Sequence, residues 1–168
     1  VYSSTQQPPV TTLRQASDGK LLTTMLDNEE LKQKVTPLLA RKELFSLRTA
    51  DGVELNGWMV KPRDFDPQKK YPVIMYQYSG PGSQEVKDSW NMGFYPGAVF
   101  ESYMADRGFI YVCVDGRGTG ARGADFEKCT YMKLGEIESN DQVEVALWLG
   151  RQPYVAKDRN GIWGWSSG

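Results

Sequence analysis

Five residues, Gly164-Trp165-Ser166-Ser167-Gly168, carry the spacing G-x-S-x-G and follow a short apolar run, Gly161-Ile162-Trp163. A serine hydroxyl becomes a useful nucleophile when the backbone lifts it clear of its neighbours and aims it at a carbonyl. A sharp turn at the end of a buried strand does this. Glycines two positions to either side are then needed, because larger side chains would strike the strand or whatever follows it. The chemistry would be covalent catalysis by Ser166. The same residues also read as a plain Gly/Ser tail, so the elements upstream must decide.

A nucleophilic serine normally works beside a histidine base. The 168 residues contain no histidine. A Ser-His-Asp triad therefore cannot form within them: either Ser166 is not a nucleophile or its base lies elsewhere. The opening "VYSSTQQPPV" reads as a cut inside a longer protein.

Composition narrows the field. With 40% apolar residues and 12% aromatics, the chain can build one domain with a core, or one domain and a piece of another. A net charge of −1 without any long basic run argues against nucleic acid as a partner. No apolar run reaches membrane-spanning length, and no signal peptide opens the chain. Cys113 and Cys129, without histidine, make no zinc site, and no cofactor is expected.

The elements that must position Ser166 can be read in order. Residues 1–43 stand apart: "PVTTLRQA" and "LLTTMLDN" are β-prone runs around an Asp18-Gly19 turn, and "DNEELKQKV" is a short helix with Asp27 and Glu30 at capping-box spacing. A hairpin and one helix cannot bury a core alone, so this segment must pack on something else. From residue 44 the elements alternate. "ELFSLRT" and "VELNGWMVKP" form a hairpin through Asp51-Gly52, and "YPVIMYQYSG" is a buried strand. "YPGAVFESYMADRG" is a helix with Pro96 in its first turn and Gly108 at its end. "FIYVCVD" is a second buried strand. "SNDQVEVALWLG" is a helix capped through Ser139 and Gln142 and ended by Gly150, and "NGIWGW" is the last strand. Two antiparallel strands followed by β-α-β-α-β predict an α/β domain with a largely parallel sheet. Ser166 then falls at the end of a buried strand, where an elbow belongs, and Tyr78, Asp115 and Ser166 should share one sheet edge.

Three further motifs compete for a role. "GTGARG", Gly118–Gly123, satisfies G-x-G-x-x-G after a strand, but the next convincing helix begins near Ser139, too far on to receive a pyrophosphate. It reads better as a glycine-rich loop beside the active-site face. "YSGPG", Tyr78–Gly82, leaves the end of a strand where a hydrolase builds part of its oxyanion hole, and a tyrosine hydroxyl there can donate to the developing oxyanion. Asp115, Glu136, Glu138, Asp141 and Glu144 are read as helix caps and a solvated face.

Taken together, "KKYPVIMYQYSGPGSQ", "VDGRGTGARG", "LGEIESNDQVEVALWL" and "DRNGIWGWSSG" resemble, in order and spacing, the prolyl oligopeptidase family, and within it the dipeptidyl peptidase IV branch. The resemblance runs from about Glu43 to Gly168 and more weakly over the residues before. It implies an α/β-hydrolase fold, incomplete and ending at the nucleophile elbow (44–168), preceded by the end of a β-propeller and a linker (1–43). It implies a serine peptidase that releases N-terminal dipeptides with proline or alanine second, acting on peptides as a homodimer in a periplasmic, cell-surface or extracellular setting. Ser166 matches the family nucleophile. Tyr78 matches the oxyanion tyrosine, and the Ser167 backbone N–H matches the second donor. The family's acid and histidine follow the serine in sequence, and its amine-binding glutamates belong to the propeller. One departure is internal: the branch usually has an aromatic residue where this chain has Ser167, which removes a wall of the proline pocket but keeps the backbone donor. An esterase or acylaminoacyl-type peptidase on the same fold, and a catalytically dead relative serving as a binding module, are the competing readings.

Overall fold

The computed structural model describes residues 1–91 and 97–168. They build two sheets. In the first, β1 (Tyr2–Ser4), β2 (Gln7–Arg14) and β3 (Leu21–Leu26) pair antiparallel in chain order. The β2–β3 hairpin turns at Gly19, whose φ of 73° suits glycine, and Asp18 Oδ1 accepts from Lys20 N at 2.9 Å. Every residue of β3 is exposed. Helix α1 (Glu29–Val35) follows. The expected Asp27–Glu30 capping box does not form, because the helix is entered one residue later, at Asn28. The Asn28 side chain instead reaches back to Pro9 O at 2.7 Å, with its own backbone left-handed at φ 54°.

The second sheet carries the site. Its strands, β4 (Lys42–Arg48), β5 (Glu54–Val60), β6 (Tyr71–Gln77), β7 (Ile110–Asp115) and β8 (Val155–Gly164), lie in the order β4-β5-β7-β6-β8. The sheet is mixed where a largely parallel one was expected: β4–β5 and β5–β7 are antiparallel, β6–β7 and β6–β8 parallel. The cause is the hairpin at Gly52 (φ 85°), which reverses β5 and seats it beside β7. The three C-terminal strands form the parallel part, built by crossovers through helices.

Those helices are α2 (Ala98–Asp106) between β6 and β7, and α3 (Ala124–Lys128) and α4 (Glu136–Gly150) between β7 and β8. Gly108, at φ 82°, ends α2 and donates to Ala105 O at 2.9 Å; Pro96, expected in its first turn, lies outside the described residues. Helix α4 starts a turn earlier than the Ser139–Gln142 pair predicts. Gly135 precedes it at φ 88°, and Glu138 Oε2 accepts from Gly135 N at 3.0 Å, so Glu138 takes the capping part given to Gln142. Gln142 is free to face inward, where its Nε2 donates to Val114 O at 3.1 Å.

Alternation along the strands gives each helix its own core. Val112, Val114, Val73 and Met75 pack with Val145 and Leu149 of α4. Tyr111, Cys113, Tyr76 and Trp58 pack with Ala105 of α2 on the opposite face. Strand β7, central and covered on both faces, is buried at every residue. Two basic residues, Lys42 and Arg117, lock the connections through three ion pairs. Lys42 Nζ lies 2.9 Å from the buried Glu101 of α2 and 4.0 Å from the centre of the Trp58 ring; burial pushes the Glu101 carboxyl up, against the pull of Lys42. Arg117 grips Asp141 of α4 at 2.6 Å and Asp51 of the β4–β5 turn at 2.7 Å.

Candidate active site

The connection leaving β6 runs to the α2 face, and the connection leaving β7 runs to the α4 face. Their divergence opens a crevice at the C-terminal ends of the parallel strands, where open α/β sheets bind ligands. Register places the candidate residues there. Gln77 pairs with Gly164, so Tyr78 and Ser166 both lie just beyond the ends of adjacent strands. Tyr76 pairs with Cys113 in the β6–β7 ladder, which brings Asp115 level with Tyr78. The three residues share one sheet edge, as expected.

Ser166 sits on a strained turn. Its φ is 53°, in the left-handed region, and it is exposed. A non-glycine residue there costs about 1–3 kcal/mol and persists only where its surroundings impose it. Those surroundings are visible in the two flanking glycines. A Cβ on Gly164 would meet the backbone of Gly168 and Gln77 O, the latter at 2.7 Å. A Cβ on Gly168 would meet the Gln77 carbonyl and, at 2.9 Å, Trp165 N. Gly168 N closes the turn on Trp165 O at 2.9 Å. The backbone doubles back so closely on the end of β6 that only glycine fits at either position, and the tight loop lifts Ser166 into solvent.

Beside it runs the loop from Tyr78. Tyr78 is half-buried against the core cluster that includes Trp58, Tyr76 and Tyr111. A Cβ on Gly80 would stand 3.1 Å from Ser167 Oγ, so this loop and the elbow are in contact. Ser83 folds the loop on itself: its N and Oγ both donate to Gly80 O, at 3.0 and 2.8 Å. Ser83 O accepts from Gly120 N at 2.7 Å, and Glu85 O accepts from Trp58 Nε1 at 3.2 Å.

The glycine-rich loop 118–123 serves this edge. Gly118 has φ 98°, and a Cβ there would meet Thr130 Cγ2 at 2.8 Å. Gly120 packs on Gly82 of the neighbouring loop. A helix does follow directly, contrary to the sequence expectation, but α3 has five residues, and Gly118 N is already committed to Phe126 O at 2.9 Å.

The carboxylates divide differently from the expectation of caps and a solvated face. Glu136 is exposed, but Asp115, Glu138 and Asp141 are buried. Asp141 is fully enclosed and bonds Arg117 through both backbone N (2.7 Å) and guanidinium. Asp115 Oδ1 and Oδ2 accept from Glu85 N and Val86 N at 3.0 and 2.9 Å; burial raises its carboxyl, and the two amides lower it. Sequence reading missed this tie. The available signal was an acid ending an otherwise apolar buried strand. On the α4 side of the elbow lies a cleft of about 1060 Å³, bordered by Gln77, Gln142, Asn160 and Ser167 but not by Ser166.

A sheet with helices on both faces and a serine on a glycine-locked turn at its C-terminal edge is the first part of an α/β-hydrolase domain, here following a β-rich piece of propeller type. Residues 99–168 match the prolyl oligopeptidase family. Dipeptidyl peptidase 4 of Porphyromonas gingivalis, in its crystal structure, superposes with a TM-score of 0.91 at 46% identity, over 99% of this chain and 23% of that one. A protein of Ajellomyces capsulatus (strain H88) named "Probable dipeptidyl-aminopeptidase B" is 41% identical over 142 residues, 84% of this chain and 15% of the relative. Its namesake in Trichophyton verrucosum (strain HKI 0517) is 43% identical over 125 residues, 74% and 13% respectively. Over residues 99–168 the chain is thus similar to the prolyl oligopeptidase family, and over most of its length to dipeptidyl peptidases. It spans about 15% of the length of the curated relatives it matches.

Proposed function

We propose that these residues carry the nucleophile and the oxyanion site of a serine peptidase that removes dipeptides from peptide N-termini, with proline or alanine at the second position. Ser166 attacks the scissile carbonyl. The Tyr78 hydroxyl and the Ser167 N–H donate to the oxyanion that forms, and such donors act strongly because they are already in place when the charge develops. In this reading residues 1–43 close a propeller and residues 44–168 open the catalytic domain. The base comes from residues outside these 168, which contain no histidine. The observation that carries the reading is the strained backbone of Ser166, between two glycines that admit no Cβ, on the sheet edge it shares with Tyr78.

The test is hydrolysis by the longer protein of chromogenic dipeptide amides that differ only at the second residue. Glycyl-prolyl and glycyl-alanyl substrates should be cleaved, and an N-acetylated glycyl-prolyl substrate refused. Cleavage of the acetylated substrate or of simple esters alone would favour the acylaminoacyl-peptidase or esterase reading. No turnover of any would favour a binding module.

A further inference from the structure

Asp115 is buried, 8% exposed, and forms no ion pair among the described residues. Its two oxygens are instead spent on the consecutive amides of Glu85 and Val86, at 3.0 and 2.9 Å. A carboxylate held by two backbone N–H groups is a strong anchor, because bonds to an ionised acceptor are shorter and stronger than neutral ones. The anchored peptide is gripped from its other side too, by Trp58 Nε1 on Glu85 O at 3.2 Å. What it anchors is the far end of the first stretch, residues 78–86, of the loop that leaves β6. At the near end, Tyr78 leaves β6 level with Asp115 on β7. Between the two ends the loop is pinned by Gly120 N on Ser83 O. The side-chain hydrogen bonds of Asp115 among the described residues go to the loop backbone.

We propose that Asp115 is a positioning residue: by clamping the amides of Glu85 and Val86 it fixes the loop that sets the Tyr78 hydroxyl at the oxyanion. This rests on the oxyanion role given above to Tyr78. A donor contributes to the transition state only if it is held in place before the charge appears, so slackening the loop should lower kcat and leave substrate binding alone. Asp115→Asn keeps the volume but turns one acceptor into a donor facing an N–H, which leaves at most one of the two bonds.

The decisive experiment is a double-mutant cycle in the longer protein, with rates expressed per fluorophosphonate-reactive site so that misfolded molecules are not counted. Asp115→Asn should lower kcat about 10- to 100-fold with KM within about twofold. In a Tyr78→Phe background the same change should cost less than about twofold, because the group it positions has already lost its hydroxyl. Equal losses in both backgrounds would mean a general packing role and would overturn the proposal, as would an unaltered kcat in Asp115→Asn. If Tyr78→Phe itself left kcat unchanged, the oxyanion reading would fall, and this proposal with it; that outcome is distinct from the first two. Should Asp115→Asn not fold, Asp115→Glu keeps the charge, displaces the oxygens by one methylene and enters the same cycle with the same expectations. Hydrogen exchange gives a readout independent of turnover: the Glu85 and Val86 amides should lose protection in the variant, and retained protection would contradict the clamp.

Discussion

The elbow at Ser166 and the loop after Tyr78 stand at the ends of neighbouring strands, and they are held by different means. At the elbow the restraint is steric. Gly164 and Gly168 press against the backbone of Gln77 and of each other, and the strain appears as a left-handed φ at Ser166. In the loop the restraint is polar: Asp115, Trp58 and Gly120 supply an acceptor pair and two donors to backbone groups. A steric lock fails abruptly when any side chain is added, because backbone cannot move aside. A polar lock fails in increments, one hydrogen bond at a time. The proposed nucleophile is thus held by backbone contacts, and the loop of the proposed oxyanion donor by hydrogen bonds.

Substitutions can break this contrast or sharpen it. The largest effect should come from Ser166→Ala, with kcat in the longer protein falling by about 10⁴–10⁶ when the nucleophile of a triad is removed. Dipeptide-amide hydrolysis measures it, and a loss below tenfold would mean another nucleophile. Tyr78→Phe should lower kcat by about 10²–10³ with little change in KM, the usual result of losing one oxyanion donor. Next comes Gly164→Ala, whose added methyl has only Gln77 O and the Gly168 backbone to push against. It should destabilise by about 1–3 kcal/mol or more, as overpacking does, and fluorophosphonate labelling should fall with it. Urea midpoints measure the first part; an unaltered midpoint would show that the elbow relaxes easily. The smallest effect should be Trp58→Phe. It keeps a ring against Tyr111 (5.9 Å between centroids) but loses the bond to Glu85 O. That bond is worth about 0.5–1.5 kcal/mol, so kcat should drop only several-fold. A drop as large as that of Tyr78→Phe would show that the loop does not fail in increments.

How much of this could be read from residue order follows the same division. Steric locks leave a mark in sequence, since a position that admits no Cβ must be glycine. G-x-S-x-G gave the elbow; Asp18-Gly19 and Asp51-Gly52 gave both hairpins for a different reason, the positive φ that glycine takes freely, with open space where a Cβ would stand. The buried runs of β6 and β7 were legible because strands covered on both faces must be apolar. Long-range polar locks leave almost none. Nothing beside Asp115 announces that its partners are the amides of Glu85 and Val86, and nothing beside Trp58 points to Glu85 O. The start of α4 was misplaced for a related reason: Glu138 and Gln142 have equal local claims to cap a helix, and Val114 O, 28 residues away, claims Gln142. The orientation of β5 beside β7 also depended on which neighbour a hairpin finds, which pairing alone decides.

Ser166 is proposed as a nucleophile held ready by a glycine-locked turn. The most direct test is to treat the longer protein with a fluorophosphonate, digest it, and locate the adduct by mass spectrometry. An activated serine phosphonylates where an ordinary hydroxyl does not. A single adduct on Ser166 is expected, absent in Ser166→Ala and retained in Ser167→Ala. An adduct on Ser167, or dipeptide release with Ser166 unlabelled, would contradict it.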